Sequence, residues 1–191
     1  MVCLTGFMGS GKSTVGRLLA AQLAWHFIDL DAEIEQHTGM QISQIFEQKG
    51  ELVFRDIEHK CLAHVLGWAS ERNARVVLAL VGGTFAQPRN AALIHNFGSP
   101  QRSGVAMIWL DCPMEGLLQR CVLMGDRPLF RDEASFRKLY EERLPYYQQA
   151  DYRIESSGEP IRVVEQILAL GIFGRSARVP ADGATPEPPL I

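Results

Sequence analysis

Residues Gly6 to Ser13 read G-F-M-G-S-G-K-S, which satisfies the spacing G-x-x-x-x-G-K-[ST]. Each fixed position has a chemical reason. The glycines let the backbone curl until successive N–H groups point inward at phosphate oxygens. Lys12 brings a point charge to the β- and γ-phosphates, and Ser13 offers its hydroxyl to Mg²⁺. The helix that follows sets its positive dipole end on the same anion. The bland alternative is a glycine-rich turn that binds nothing. Against it stand a short apolar strand before the loop, Val2 to Leu4, and an amphipathic helix after it with Val15, Leu18, Leu19 and Leu23. Strand, loop and helix in that order are the context in which this spacing cradles nucleotide phosphates.

Moving a phosphoryl group also requires metal ligands, a seat for the acceptor hydroxyl and cations for the developing charge. Asp29-Leu30-Asp31 falls at the C-terminal end of the second predicted strand, the edge where doubly wound sheets bind ligands. Strand alternation points both carboxylates the same way. One reaches the Mg²⁺ shell and the other accepts a proton from the acceptor. The competing view is a solvated strand end with Asp31 as a helix N-cap. Arg55 and Glu58 lie three apart and share a helix face. They are either a surface ion pair of little energetic weight or an arginine for an anionic acceptor, held in place by the glutamate.

Val81-Gly82-Gly83 closes the third strand; its glycines either admit a ligand close to the backbone or simply make the turn. Met124–Glu133 reads M-G-D-R-P-L-F-R-D-E, the composition of a mobile surface loop from which Arg127 or Arg131 closes over the transferred phosphate. Arg120 and Arg143 end helical stretches and are further candidates, although most arginines simply sit at surfaces. His59 and His64 are five apart and do not make a metal-binding pair.

Positioning these groups requires an α/β framework. Strand-like runs at Val2–Thr5, His26–Leu30, Val76–Val81, Val105–Leu110 and Tyr152–Glu155 alternate with helical patterns, which predicts a parallel sheet with helices on both faces. The third and fourth runs are almost continuously hydrophobic, as strands covered on both faces are. Helices are predicted at Lys12–Leu23, at Ala32–His37 ending near Gly39, and from a Ser43 cap to Lys49, closed by Gly50. Others follow at Glu51–Trp68, from Pro113 to about Met124, at Glu133–Arg143 and at Pro160–Leu170. Residues 174–191 are rich in Pro, Gly and Ala without apolar periodicity, so residues 1–173 are expected to form one domain followed by a disordered tail.

The chain has 191 residues, 47% hydrophobic and 21% charged, an ordinary globular composition with no repeat and no second domain. Its net charge of −3 and pI near 6.0 argue against a nucleic-acid binder. Cys3, Cys61, Cys112 and Cys121 share no metal-ligand spacing and are expected as reduced thiols. No signal peptide precedes the loop and no apolar run is long enough for a bilayer. A cytoplasmic protein with no membrane partner is expected.

With these residues in view, the chain resembles shikimate kinase over about residues 2–170. The resemblance rests on G-F-M-G-S-G-K-S-T-V-G-R from Gly6 to Arg17, D-L-D-A-E-I-E-Q-H-T-G-M from Asp29 to Met40, and I-F-E-Q-K-G-E-L-V-F-R-D-I-E from Ile45 to Glu58. It also rests on R-P-L at Arg127 and R-L-P at Arg143. It implies a three-layer P-loop kinase fold with five parallel strands in the order 2-3-1-4-5 and a mobile lid. It implies ATP-dependent phosphorylation of the 3-hydroxyl of shikimate, with Mg²⁺, by a cytoplasmic monomer in aromatic amino-acid biosynthesis.

By the same resemblance, Gly9, Ser10, Gly11, Lys12, Ser13 and Thr14 hold the ATP phosphates, with Ser13 and Asp29 in the Mg²⁺ shell. Asp31 meets the shikimate hydroxyls as the candidate base, Arg55 and Arg143 clamp its carboxylate, and Glu58 orients Arg55. The backbone at Gly82 and Gly83 lines the pocket. Arg127 touches the transferred phosphate from the lid, and Arg120 lies near the adenine. One departure is visible: the family usually carries three glycines where this chain has Val81-Gly82-Gly83, and a valine there either points into the core or narrows the acceptor pocket. The alternatives are a related P-loop kinase for another small acceptor, such as gluconate or a nucleoside monophosphate, and a nucleotide-binding module without turnover.

Overall fold

Short apolar runs separated by helical patterns become one open sheet. The structure is a computed structural model that describes residues 1–97, 104–124 and 132–173. Arg127, Arg131 and residues 174–191 lie outside the described residues. The strands are β1 (Val2–Thr5), β2 (His26–Asp29), β3 (Val76–Ala79), β4 (Ala106–Asp111) and β5 (Tyr152–Glu155). All pair in parallel in the order β2-β3-β1-β4-β5, as expected.

Parallel pairing requires crossovers, and helices supply them. These are α1 (Lys12–Leu23), α2 (Leu30–Thr38), α3 (Ile42–Glu71), α4 (Pro88–His95), α5 (Met114–Met124), α6 (Glu133–Tyr147) and α7 (Pro160–Ala169). Alternate residues of each central strand serve opposite faces. Val2, Leu4 and Val77 pack with Val15 and Leu19 of α1 and Val164 and Ile167 of α7. Cys3, Val76 and Leu78 pack with Ile34 of α2 and Leu62 and Val65 of α3. Each such fully buried aliphatic side chain contributes about 1.5–3 kcal/mol. A third cluster, with Phe7, Trp109, Leu117, Phe136 and Tyr147, packs beneath the phosphate loop.

Close helix–sheet contact aims α1. A Cβ on Gly16 would lie 2.6 Å from the Phe27 ring and 3.2 Å from Leu4, so only glycine lets this helix sit so near the sheet. Gly39 ends α2 at φ +64°, and Gly50 interrupts α3 at φ +79°, ψ 169°. Both breaks fall where the sequence placed them.

Four local expectations are corrected. β2 stops at Asp29 rather than Leu30, so Asp31 stands in the first turn of α2 and not on the strand. Gln41 rather than Ser43 precedes α3; its backbone N–H donates to Gln44 Oε1 at 3.0 Å, a side-chain bond that satisfies a helix start. α6 continues past Arg143 through Pro145 to Tyr147, and Gln148 N–H still reaches Leu144 O at 3.0 Å. A 3-10 turn at Thr84–Ala86 and α4 both form in a stretch between the third and fourth strands for which no element is expected from the sequence; Pro88 opens α4, where its missing N–H costs nothing.

All four cysteines are free and buried. Among the described residues no helix is long and apolar enough to cross a membrane.

Candidate active site

The phosphate loop leaves β1 and turns into α1 at the C-terminal edge of the sheet. Gly6 holds φ +143°, and a Cβ there would lie 2.7 Å from Leu110 O. Gly11 is the N-cap of α1 at φ +93° with no side-chain cap. The first amides of that helix therefore stay available to an anion instead of being spent on a capping oxygen. Lys12 Nζ donates to Gly6 O at 2.9 Å and Phe7 O at 3.0 Å, which holds the ammonium over the loop.

Asp29 and Asp31 are brought together by a cap, not by strand alternation. Asp29 is the N-cap of α2, and its Oδ1 accepts from the Asp31 N–H at 3.1 Å. The register sets Asp29 opposite Ala79, and Ala79 opposite Leu4 at the start of the loop. The acids thus stand two strand spacings from the phosphate cradle, roughly 10 Å. Glu33 follows on α2; burial, then the Asp29 charge, lifts its carboxyl above the usual range. The buried Cys61 thiol is pushed up to about 11 by burial and then by Glu33 and Glu58.

Arg55 and Glu58 are buried at 7% and 0% exposure, so they are not a surface pair. Arg55 Nη1 donates to both Glu58 oxygens at 3.3 and 3.1 Å, and Nη2 donates to Glu51 Oε1 at 3.0 Å. Glu58 also accepts from Thr84 Oγ1 at 2.7 Å and from Asn90 Nδ2 at 3.4 Å. Arg143, likewise 7% exposed, arrives from α6 with its guanidinium carbon 5.7 Å from the Phe7 ring centre.

Gly82 and Gly83 are the meeting point. A Cβ on Gly83 would lie 2.9 Å from Arg55 Nη1 and Nη2 and 3.1 Å from Arg143 Nη2. A Cβ on Gly82 would lie 3.4 Å from Arg143 Nη1 and 3.5 Å from the Met8 amide nitrogen. The two buried arginines and the phosphate loop therefore share one crevice. Tyr147 closes its floor by donating its phenol to Gly82 O. Burial pushes that phenol up to about 12, against the pull of the Arg143 charge beside it. Val81 packs against the core formed with α2 and α3, the first of its two predicted placements.

On the other side of the loop, Arg120 ties three segments together. It donates to Gly9 O at 3.2 Å, Ser156 O at 3.0 Å and Ser157 O at 3.1 Å. Beside it lies an open cavity of about 540 Å³ bounded by Gly9, Gly11, Thr14, Arg120, Gly158 and Pro160, of a size to hold a nucleoside.

Gly82 and Gly83 thus bring Arg55, Glu58 and Arg143 against the phosphate loop that leads into Lys12 and Ser13, with Asp29 and Asp31 along the same sheet edge. Arg127 lies outside the described residues. Sequence reasoning missed Thr84, Asn90 and Tyr147, and also the Ser156–Pro160 loop. Their letters carry no motif spacing, and only packing brings them to the site.

A parallel sheet in this order, with a phosphate loop after β1 and a crevice lined by two buried arginines beside it, defines a P-loop small-molecule phosphotransferase. The shikimate kinase family model matches residues 8–170. The shikimate kinase of Persephonella marina is 39% identical over 169 residues, covering 87% of this chain and 96% of its own. That of Gloeobacter violaceus is 43% identical over 169 residues, covering 86% and 88%. Among solved structures, shikimate kinase from Acinetobacter baumannii in complex with shikimate superposes with TM-score 0.80 at 34% identity, covering 92% of this chain and 94% of that one. The chain belongs to the shikimate kinase family.

Proposed function

We propose that this protein transfers the γ-phosphoryl group of ATP to the 3-hydroxyl of shikimate, giving shikimate 3-phosphate and ADP, in aromatic amino-acid biosynthesis. One observation carries the acceptor assignment. Arg55 and Arg143 press on the same glycine, within about 6 Å of each other, where like charges repel and an anion between them is strongly favoured. Glu51 and Glu58 answer Arg55, while among the described residues Arg143 has no carboxylate partner, so the unbalanced charge is that of Arg143. A planar acceptor carboxylate fits two such forks, because guanidinium groups bind carboxylates in a bidentate manner.

The chemistry follows from placement. The loop amides and Lys12 hold the phosphates and offset charge on the transferring group. Asp31 accepts the hydroxyl proton as the acceptor oxygen attacks in line. Arg127 neutralises the phosphoryl oxygens, and exclusion of water from the site protects ATP from hydrolysis. Arg120 and the Ser156–Pro160 loop hold the nucleoside end.

The donor set also fits Mg²⁺. Ser13 and Asp29 offer one hydroxyl and one carboxylate, both hard oxygen ligands. Mg²⁺ characteristically takes one or two carboxylates plus substrate phosphates instead of an all-protein cage. When bound, it supplies further charge neutralisation at the phosphate oxygens. We further propose a cytoplasmic monomer; the four free, buried thiols suit a reducing compartment.

A coupled assay of ADP release, with and without shikimate and with gluconate as a second acceptor, tests the proposal. Shikimate-dependent ADP release at least tenfold over background is expected, since a site that excludes water leaves little hydrolysis. ADP release indifferent to shikimate would overturn it.

A further inference from the structure

Behind Arg55 stands a second tier of polar groups that the phosphorylation chemistry does not use. Thr84 and Asn90 are both 0% exposed, and both donate into the Glu58 carboxylate, at 2.7 and 3.4 Å. Asn90 is itself held from the other side, because its Oδ1 lies 2.8 Å from His59 Nδ1. That contact makes Oδ1 the acceptor for the ring N–H and turns the amide nitrogen toward Glu58. The chain of contacts runs from half-buried His59 through Asn90 and Glu58 to Arg55 at the crevice wall.

A carboxylate can take up about four lone-pair contacts. In Glu58, Arg55 occupies both oxygens, Thr84 adds a second partner to Oε1, and Asn90 adds a second to Oε2. With either donor gone, the carboxylate can swing on its last torsion, and Arg55 Nη1 swings with it. The guanidinium would still be buried and still charged, but no longer aimed. Thr84 comes directly after Gly83, the residue against which Arg55 and Arg143 close. The same turn therefore builds the pocket wall and locks the arginine in front of it.

We propose that Thr84, Asn90 and His59 are positioning residues that act through Glu58 to fix Arg55, and so set how strongly the enzyme prefers an acceptor bearing a carboxylate. The proposal rests on the assignment of Arg55 to the acceptor carboxylate. Its signature is selective: affinity for a charged acceptor depends on the tier, while ATP affinity, turnover at saturation and affinity for an uncharged acceptor do not.

The test compares shikimate with its neutral carboxamide as acceptors for the wild-type chain and for Thr84→Val, Thr84→Ser, Asn90→Leu and His59→Leu. Loss of one hydrogen bond to a charged group predicts a shikimate KM about tenfold higher in Thr84→Val and Asn90→Leu. ATP KM and kcat should stay within about twofold, and kcat/KM for the carboxamide should hold. Thr84→Ser keeps the hydroxyl and should restore the wild-type KM. His59→Leu alters a half-buried side chain, so the fold is retained, and about a threefold rise in shikimate KM is expected from the loosened amide.

Equal losses for shikimate and carboxamide, or an unchanged shikimate KM in Thr84→Val and His59→Leu, would overturn the proposal. A wild-type enzyme that ignores shikimate would instead remove the functional assignment beneath it. If Thr84→Val and Asn90→Leu fail to fold, His59→Leu decides alone.

Discussion

Gly83 lies so close to Arg55 that a single added methyl group would sit 2.9 Å from both terminal guanidinium nitrogens. The guanidinium has little room to retreat, because Glu51 and Glu58 hold it from two sides. Gly83 has an ordinary φ of −108°, so its need for glycine comes from this contact and not from backbone strain. Gly83→Ala should displace Arg55 and cost one charge-assisted contact to the acceptor, about 1.5–3 kcal/mol or at least tenfold in shikimate KM. Steady-state kinetics with shikimate varied at saturating ATP checks this; an unchanged KM would show that Arg55 does not face the acceptor.

Lys12 and Asp31 should govern turnover more than binding. Lys12→Met and Asp31→Asn each remove a group proposed to act in the transition state, and kcat should fall by about 10²–10³-fold or more. Circular dichroism and thermal unfolding should remain near wild type, since neither residue is part of the apolar core. Near-normal turnover by Asp31→Asn would exclude it as the base.

Arg55→Ala should be costly twice. It removes a carboxylate clamp, which raises shikimate KM, and it leaves the fully buried Glu58 charge without its cation. Breaking a buried pair from one side typically costs about 3–5 kcal/mol of stability. Neutralising the stranded acid as well, in Arg55→Met with Glu58→Gln, should recover much of that stability without recovering shikimate affinity. Urea unfolding and acceptor kinetics on the two variants separate the effects.

Alkaline pH should loosen the protein through groups kept neutral by burial. Tyr147 is pushed from about 10 up to about 12, Cys3 from about 9 to about 12, and Cys61 from about 9 to about 11. Each raised value means that the unfolded chain loses its proton first. The stability is therefore fully present below the ordinary values and is lost as pH rises toward the shifted ones. Urea midpoints should fall steadily from pH 9 to pH 11. Tyr147→Phe should flatten the part of that slope above pH 10. An unchanged slope would mean that Tyr147 ionises freely in the folded state.

The sequence alone determined the phosphate loop, because its work is done by backbone amides and adjacent side chains whose spacing is local. It also determined the sheet and the strand order, through buried runs and the family pattern. The breaks at Gly39 and Gly50 were legible because a left-handed φ is a property of the residue itself. The pairing of Arg55 with Glu58 was legible from helix geometry, but its burial was not. Only the tertiary structure decided that Asp29 and Asp31 meet through a cap, that Arg143 reaches the wall made by Gly83, and that Thr84, Asn90 and Tyr147 hold that wall from behind. The Asp29 cap is local, but it depends on where packing ends β2; the other contacts span tens of residues along the chain, and no local spacing encodes which distant side chains will satisfy a buried charge.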